Sequence, residues 1–310
     1  MSSEGTVLVT GGAGFIGVNL ARVLVERGWT PIAYDNGSTG RLGDAVAAGF
    51  ADVIEGDVRD TDALRSAASS VDAIVHLAAQ AGVPSSIADP VADCDLNVRG
   101  TLNALIAARD TGVSGFVFAS SNAPLGEIEP PAHEQVVPRP LSPYGASKLA
   151  GEAYCSAFAA SYGVPAVVLR FANVYGPFSY HKGSVVATFM KAVMEGRPIT
   201  VNGDGTQTRD FVYVADLCDG IVRSLESGLG GETFHLGTGS ETSVNDLVGC
   251  IRASFTGREV SVEHGPALTG EIQRNCADIA KARRLLGYQP AVGLEDGLAA
   301  TREWFETWLR

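Results

Sequence analysis

The chain has 310 residues, 45% of them hydrophobic and 19% charged, with a formal net charge of −12. This composition predicts a globular protein with a sizeable core in one large or two coupled domains. The negative charge argues against a nucleic-acid partner, which demands a basic face. Apolar runs such as 71–81 are far shorter than the roughly 20 residues of a membrane span, and the first residues lack a signal-peptide pattern, so we expect a cytoplasmic protein with no membrane partner. Five widely spaced cysteines without a C-x-x-C pair predict neither a zinc site nor a disulfide framework.

A glycine-rich turn directly follows the first predicted strand. Residues 6–10 form a short β-branched run typical of a buried parallel strand. The sequence GGAGFIG follows at 11–17, and a helical pattern then continues to Gly28. Gly11 and Gly14 allow a tight turn and close approach of the backbone to a pyrophosphate, and Gly17 lets the helix pack on the strand. Strand, loop and helix in this order indicate a dinucleotide-binding site.

The next two predicted strands end in acidic residues. Residues 31–35 end in Asp35, about 20 residues past the loop, where a carboxylate hydrogen-bonds the adenosine ribose. This acid would repel a 2′-phosphate, and no arginine follows until Arg41, so NAD is favoured over NADP. The third predicted strand, 51–58, places Asp57 and Val58 for the adenine edge.

Strands and helices continue to alternate up to the middle of the chain. The fourth predicted strand, 71–80, ends in small residues that let a cofactor lie against the backbone, and 95–111 is a predicted helix. The fifth strand, 116–122, carries hydroxyls at its carboxyl end, where ligands bind in open α/β sheets. The predicted fold class is therefore α/β, with a Rossmann-type doubly wound parallel sheet in an NAD-binding domain over 1–175.

Tyr144 and Lys148 lie one turn apart on a helix that is predicted to follow the Pro-rich loop 129–143. At positions i and i+4 both side chains share one face, within about 6 Å of each other. A lysine ammonium beside a phenol favours the phenolate and lowers the tyrosine pKa from its reference of about 10. The pair is therefore predicted to make Tyr144 a general base near neutral pH. Such a pair also occurs by chance on surface helices, but here it follows a dinucleotide-binding pattern.

The pattern is less regular in the second half of the chain. A sixth strand is predicted over 164–173, then a helix over 185–195, a strand at 199–201, and a turn that leads into a strand over 203–214. The chain ends in an aromatic-rich helix around Trp304 and Trp308. Residues 176–310 are predicted to form mainly a smaller, mixed α/β substrate-binding lobe, while strands from about 208–240 join the first domain.

Nine motifs follow one another along nearly the whole chain. They are TGGAGFIG at 10–17, the acid at 35, GDV at 56–58, HLAAQ at 76–80, NVRGT at 97–101, SS at 120–121, YGASK at 144–148, RFANVYGP at 170–177 and GDGTQTRDFVYV at 203–214. With them, the sequence resembles the extended short-chain dehydrogenases/reductases, in the branch of nucleotide-sugar epimerases and dehydratases typified by UDP-galactose 4-epimerase.

This resemblance implies an NAD-dependent nucleotide-sugar 4-epimerase, acting on a UDP-hexose, UDP-hexosamine or UDP-hexuronic acid. Hydride leaves sugar C4, the transient 4-keto sugar rotates, and hydride returns to the other face. The resemblance also implies a homodimer formed through helices near 97–110 and 147–160 in a four-helix bundle.

The resemblance also assigns roles to residues by position. The catalytic residues would be Ser121, Tyr144 and Lys148. The residues expected to hold NAD are Gly11, Gly14, Phe15, Ile16, Gly17, Asp35, Asn36, Ser38, Asp57, Val58, Leu77, Ala78, Ala79, Gln80, Asn97 and Lys148. The residues expected to bind the substrate are Ser121, Asn122, Tyr144, Asn173, Lys182, Val185, Arg209 and Arg274.

Three positions depart from the family pattern. The 4,6-dehydratases follow their catalytic Ser or Thr with an Asp–Glu pair that removes water, whereas this chain has Asn122 and Ala123, so dehydration is disfavoured. An arginine that relatives use on the diphosphate is missing near Leu268, and we expect His181, Lys182 or Arg274 to replace it. Asn275 stands where some epimerases carry a bulky tyrosine, and its smaller side chain leaves room for a 2-acetamido group.

Two alternatives stay open. A dehydratase with other acid–base residues, or a UDP-hexuronate decarboxylase, would start from the same 4-keto sugar. A non-catalytic dinucleotide-binding regulator is disfavoured by the presence of Ser121, Tyr144 and Lys148. His76 and His235 are predicted to be packed core histidines.

Overall fold

The computed structural model describes residues 5–267 and 272–308. The strands are β1 Gly5–Thr10, β2 Trp29–Asp35, β3 Asp52–Glu55, β4 Ala73–His76, β5 Gly115–Ser121, β6 Ala166–Phe171, β7 Asn173–Tyr175, β8 Ile199–Asn202, β9 Thr208–Arg209, β10 Phe211–Tyr213, β11 Thr233–Leu236, β12 Thr242–Ser243 and β13 Val262–Gly265. The α-helices are α1 Phe15–Glu26, α2 Leu42–Ala48, α3 Thr61–Ala68, α4 Val83–Ala88, α5 Pro90–Cys94, α6 Gly100–Thr111, α7 Pro143–Tyr162, α8 Val185–Met194, α9 Val214–Glu226, α10 Val244–Ser254, α11 Ala280–Leu286 and α12 Leu294–Trp308.

Seven strands form one parallel sheet in the order β11-β6-β5-β4-β1-β2-β3. The strand order reverses between β1 and β4, which opens a crevice at the carboxyl ends of the strands, the place where ligands bind in such sheets. This arrangement confirms the predicted doubly wound α/β fold.

The apolar run of β1 explains why the sheet is covered on both faces. Side chains alternate between the faces of a strand, so Val7 and Val9 point into one core and Leu8 into the other. The first core lies under α1 and α9, and the second under α3, α6 and α7. All three side chains are fully buried, which fixes the glycine loop to the sheet that carries it.

A third core lies in the second half of the chain. Met190 of α8, Ile251 of α10 and Phe305 of α12 pack there with Ile199 of β8. The small sheets of this region pair β8 with β13 in parallel and β9 with β12 antiparallel. No α-helix in the described ranges is long and apolar enough to cross a bilayer.

Several predicted elements have other boundaries. The sixth predicted strand divides, because β6 ends at Phe171 while β7 pairs with β10 outside the main sheet. Among the described strands after β6, only β11 returns to that sheet, beside β6. The third strand ends at Glu55, so Asp57 and Val58 follow it in a loop. The helix expected at 95–111 begins with one π-helical turn, Asp95–Arg99, which continues into α6.

Candidate active site at the carboxyl edge of the sheet

The glycine loop turns between β1 and α1 with no room for side chains. Gly11 has a φ of +72°, and a Cβ there would lie 2.7 Å from the Ala78 backbone nitrogen. A Cβ at Gly17 would lie 2.5 Å from the Gly11 carbonyl oxygen. Within the described residues no side chain caps α1, which begins at Phe15, so its first amides remain for an anion. The loop fits the pyrophosphate of a dinucleotide.

Asp35, at the end of β2, ties the next loop to the glycine loop. Its Oδ2 accepts a hydrogen bond from the Ala13 amide at 3.0 Å, and its Oδ1 accepts one from the Gly37 amide at 2.8 Å. Gly40 packs so closely that a Cβ there would overlap the Ala13 carbonyl oxygen. Sequence reasoning missed Gly40, since only this long-range contact shows why glycine stands there.

The residues expected at the adenosine meet beside this loop. Asn36 donates from Nδ2 to Asp57 Oδ2 at 3.0 Å, and the Ser38 amide donates to Asn36 Oδ1 at 3.1 Å. Arg59 donates to both carboxylate oxygens of Asp57, at 2.9 and 2.6 Å, and these bonds hold the pKa of Asp57 well below its usual range. Val58 is buried next to it. Asp57 is therefore an ionised acceptor near neutral pH.

Ser121 and Tyr144 come together at the carboxyl end of β5. The Ser121 hydroxyl lies near enough to the Tyr144 phenol to oppose the rise of its pKa. The Ser121 Oγ also accepts from the Ala123 amide at 3.2 Å. Tyr144 lies in the first turn of α7, which Ser142 caps by accepting a hydrogen bond from the Gly145 amide at 3.1 Å. The cap fixes where the helix starts and therefore where the phenol lies.

The electrostatics of Tyr144 differ from the prediction. Burial raises the pKa of Tyr144 to about 12, with a smaller opposing effect of the nearby Ser121 hydroxyl. Burial also lowers the pKa of Lys148 to about 8, and its ammonium donates to the Ala119 carbonyl oxygen at 2.8 Å. The prediction that Lys148 depresses the pKa of Tyr144 is therefore wrong, because removing the phenol from water favours its neutral form more strongly.

Asn97 joins the segment after β4 to two helices. Its Oδ1 accepts from the Gln80 amide at 2.8 Å, and its Nδ2 donates towards Gln80 O at 3.0 Å, Asp93 Oδ1 at 3.0 Å and Ser147 Oγ at 3.2 Å. Leu77, Ala78 and Ala79 lie in the chain just before Gln80. Asp93 was missed by sequence reasoning, since an acid in a five-residue helix whose other residues are exposed resembles an ordinary surface residue.

The two predicted core histidines are buried and hydrogen-bonded. His76 Nδ1 lies 2.7 Å from Thr10 Oγ1, and its Nε2 lies 3.2 Å from Thr101 Oγ1. His235 Nδ1 lies 3.0 Å from Asn122 Oδ1. Burial lowers the pKa of both imidazoles to about 3, so both are neutral packing groups.

Two residues expected at the substrate are engaged elsewhere. Asn122 is buried, with its Oδ1 beside His235 and its Nδ2 donating to Asn275 Oδ1 at 3.0 Å. Arg274 forms ion pairs with Glu129 at 2.7 Å and Glu241 at 2.6 Å. The structure therefore holds Arg274 against two carboxylates. Residues 268–271, where the family arginine is missing, lie outside the described residues.

Lys182 reaches the glycine loop from the second half of the chain. Its Nζ lies 4.8 Å from the centroid of the Phe15 ring, and burial lowers its pKa to about 8. Val185 begins α8 just beyond it, and in the described part of the chain the buried hydroxyl of Ser184 has no hydrogen-bond partner. A cation, a helix N-terminus and an unused hydroxyl together suit an anionic group.

The remaining two substrate candidates lie on short strands. Asn173 begins β7, where its backbone N–H donates to the Asp210 carbonyl oxygen at 2.8 Å. Arg209 ends β9, and its Nη1 donates to the Thr208 carbonyl oxygen at 2.8 Å. Among the described residues no group of three or more His, Cys, Asp or Glu side chains could hold a metal ion.

Comparisons with known proteins agree with this geometry. A model of the NAD-dependent epimerase/dehydratase family matches residues 7–237. The chain is 38% identical over 306 residues to the UDP-glucose 4-epimerase of Mycolicibacterium smegmatis, covering 96% of this chain and 97% of the relative.

Solved structures give the same result. A UDP-glucose 4-epimerase of Thermotoga maritima, crystallised with UDP-glucose, superposes with a TM-score of 0.92 at 36% identity, over 98% of this chain and 100% of that chain. The Thermus thermophilus UDP-glucose 4-epimerase in complex with NAD gives a TM-score of 0.90 at 36% identity, over 97% and 99% of the two chains. With its glycine cradle, its parallel sheet and these relatives, the chain belongs to the NAD-dependent epimerase/dehydratase family of extended short-chain dehydrogenases/reductases.

Proposed function

We propose that the protein is an NAD-dependent nucleotide-sugar 4-epimerase that acts on a UDP-hexose, UDP-hexosamine or UDP-hexuronic acid through a transient 4-keto sugar. The observation that carries this proposal is the placement of Ser121 beside Tyr144, with Lys148 one turn along α7, at the carboxyl edge of the sheet. Relatives along nearly the whole chain are UDP-glucose 4-epimerases, which supports the same reaction.

The cofactor residues surround the crevice at the strand-order reversal. The glycine cradle would hold the pyrophosphate, Asp35 and Asn36 the adenosine ribose, and Asp57 with Val58 the adenine. The segment from Leu77 to Gln80, with Asn97, would line the middle of the cofactor. NAD, when bound, accepts and returns the hydride of sugar C4 and brings a positive charge that favours an ionised phenol.

Tyr144 exchanges the proton of the sugar 4-hydroxyl. It takes that proton as the sugar is oxidised and gives a proton back when the 4-keto oxygen becomes a hydroxyl again. Ser121 lies beside Tyr144 and can relay the proton. Lys148, held by the Ala119 carbonyl oxygen, fixes the positive charge next to the phenol. Proton and hydride both return, so the reaction has no net redox change.

Simple epimerisation is favoured over dehydration by the residues after Ser121. Removing water across C5 and C6 needs an acid and a base beside the sugar. Asn122 is buried and its amide is bonded to His235 and Asn275, while Ala123 has only a methyl group. Neither residue can transfer those protons.

The second half of the chain would hold the nucleotide diphosphate. Lys182 supplies a positive charge near the glycine loop. The N-terminus of α8, which begins at Val185, supplies the positive end of a helix dipole. Asn173 and Arg209 would also bind the diphosphate. Arg274 would bind it only if its ion pairs with Glu129 and Glu241 were broken. We propose accordingly that 1–175, joined by β11, serve NAD and that 176–310 mainly serve the substrate.

A homodimer fits the outer face of α7. Leu149, Ala150, Ala153, Tyr154 and Ala157 form an apolar stripe there, and Tyr154 is 38% exposed. Helix α6 packs beside α7, so two copies could form a four-helix bundle. Five unpaired cysteines suit a reducing compartment, and we propose a cytoplasmic enzyme.

Product analysis tests this function. The purified protein is incubated with UDP-glucose, UDP-N-acetylglucosamine, UDP-glucuronic acid or dTDP-glucose, and the products are identified by NMR. A mixture of C4 epimers from one of them is expected. A stable 4-keto sugar, or a pentose with released CO2, would instead identify a dehydratase or a decarboxylase.

Tyr144→Phe separates an enzyme from a regulator. The variant should lose at least 100-fold in turnover, as expected for loss of an acid–base group worth roughly 10²–10⁴, while its bound NAD is unchanged. The same exchange at Tyr162, which is 56% exposed, serves as the control and should keep full activity. Full turnover by Tyr144→Phe would remove this residue from the mechanism.

A further inference from the structure

Asp93 is a buried carboxylate that the proposed reaction does not use. It lies in α5 and is only 1% exposed. Its Oδ1 accepts a hydrogen bond from Asn97, while its Oδ2 is buried and has no hydrogen-bond partner among the residues described. Burying a carboxylate in this way costs several kcal/mol unless an opposite charge faces it. The structure around α5 supplies such a charge.

Lys148 is the opposite charge. Helix α5 packs directly on α7, and the Asp93 carboxylate interacts electrostatically with both Lys148 and Tyr144. The Lys148 side chain is itself buried and donates to the Ala119 carbonyl oxygen. An ammonium has three N–H groups, and the Phe118 ring, whose centroid lies 5.0 Å from the Lys148 Nζ, also faces it. Neither the carbonyl nor the ring carries a formal negative charge to balance the ammonium.

The other carboxylate near Lys148 is already neutralised. Glu152 lies one turn further along α7, and Arg170 donates to both of its oxygens, at 2.9 and 2.7 Å. Ser120 also donates to Glu152, at 2.6 Å. The charge of Glu152 is therefore balanced by Arg170 in a buried ion pair. Asp93 is the nearby carboxylate whose charge is not balanced in this way.

Asn97 fixes the position of Asp93 relative to α7. The same amide nitrogen that binds Asp93 lies 3.2 Å from the Ser147 hydroxyl, on the residue just before Lys148. Asn97 lies in the π-helical turn Asp95–Arg99, and such turns occur frequently at functional sites. This bridge holds α5 and α7 in register.

We propose that Asp93 is a positioning residue whose carboxylate is the counter-ion of Lys148 and keeps the charged ammonium beside Tyr144. The proposed pairing of Asp93 with Lys148 concerns the folded chain alone, whereas its part in the reaction rests on the proposed epimerase function. The other titratable groups around Lys148 are Tyr144, Glu152 and Cys155 on its own helix and His76 on β4.

A double-mutant cycle tests the ion pair without any substrate. Asp93→Asn keeps the shape of the side chain but leaves the buried Lys148 ammonium without its counter-ion, so it should lower the free energy of unfolding. In a Lys148→Met background, the same change removes an unpaired buried charge and should raise it. Urea unfolding of the four proteins at pH 7 and one NAD concentration gives both effects. Equal effects in the two backgrounds would overturn the proposal.

Asp95→Asn is the matched control for this cycle. Asp95 lies two residues away, is partly exposed, and pairs with Arg59 and Arg99. Its substitution should change stability by the same amount in the wild-type and Lys148→Met proteins. A coupling as large as that of Asp93 would show that the cycle does not report a specific pair.

The pH dependence of turnover tests the role in the reaction. A nearby carboxylate favours the protonated forms of both Tyr144 and Lys148, so Asp93→Asn should move both limbs of the kcat–pH profile to lower pH. Asp93→Glu keeps the charge and should keep the wild-type limbs, even at a lower rate. An Asp93→Asn profile that is only scaled down would refute the positioning role. A wild-type protein with no epimerase activity would refute the proposed function while the stability cycle still decides the ion pair.

Discussion

Tyr144 and Lys148 show that burial can reverse a pKa expected from spacing. Their i, i+4 separation correctly places both on one face of α7. The spacing does not show that the two groups are buried. Burial drives both the phenol and the ammonium towards their neutral forms. The phenol pKa rises to about 12 and the ammonium pKa falls to about 8. The shared helix face of the two residues was therefore predictable here, whereas their charge state depended on tertiary packing.

Asp93, Asn122 and Arg274 show the same limit for site residues. Local sequence gave no signal for Asp93, because the Lys148 charge reaches it only through the packing of α5 on α7. Asn122 and Arg274 were expected at the substrate, yet both are bonded to distant protein groups. A motif identifies the residue at a position, but the long-range contacts of the fold determine which groups that residue can bind.

His76 should make the protein sensitive to acid. Its pKa is lowered to about 3 by burial, whereas an unfolded histidine titrates near 6.5. Because the folded pKa is the lower one, its contribution to stability is present above pH 6.5 and is lost as the pH falls towards 3. Between pH 7 and pH 5 this loss is about 2 kcal/mol.

Urea unfolding at pH 7 and pH 5 measures this loss. His76→Gln should be less stable at pH 7 but should lose less stability on going to pH 5 than the wild type. The exposed His264 is the matched position, and His264→Gln should keep the wild-type decline. An unchanged decline in His76→Gln would show that other groups control the acid response.

At the scale of elements, local patterns predicted β1, the glycine loop and α1 well, because strand, turn and helix follow one another directly. The pairing of β7 with β10 and the return of β11 to β6 were not determined by local pattern. Those strands are three or four residues long, too short for alternation to specify a partner. Parallel pairing also joins segments that are far apart in the chain.

The junction of the glycine loop with α1 gives a prediction for an element. Gly17→Ala should abolish stable NAD binding, because the added Cβ would lie 2.5 Å from the Gly11 carbonyl oxygen and would force loop and helix apart. The measurement is the NAD content of the purified protein and its affinity by calorimetry.

Gly249→Ala is the control for this substitution. Gly249 lies inside α10, and a Cβ there meets no atom of the described residues within 4 Å. Alanine should therefore leave NAD binding unchanged and stabilise the protein by about 0.5–1 kcal/mol. Normal NAD binding by Gly17→Ala would show that the loop tolerates displacement.

On the scale of the whole molecule, the second half of the chain packs against α1 and the loop after β2. The Arg41 guanidinium, in the loop after β2, lies 4.0 Å from the centroid of the Trp308 ring at the end of α12. Arg22 of α1 lies 5.9 Å from the Phe178 ring, which packs on Trp304. The second half of the chain therefore braces the loops expected to hold NAD, an arrangement that sequence motifs do not reveal.

The apolar stripe on α7 leads to a prediction about assembly. If two copies pair through α6 and α7, Tyr154 lies inside a four-helix bundle, and Tyr154→Glu buries an unpaired carboxylate at the interface. The variant should be a monomer by size-exclusion chromatography with light scattering, while the wild type is a dimer. Val46 on α2 is also an exposed apolar residue, 64% exposed, so Val46→Glu should stay dimeric. A Tyr154→Glu protein that remains a dimer would place the interface on another face, because one buried charge per subunit is too costly for this bundle to accept.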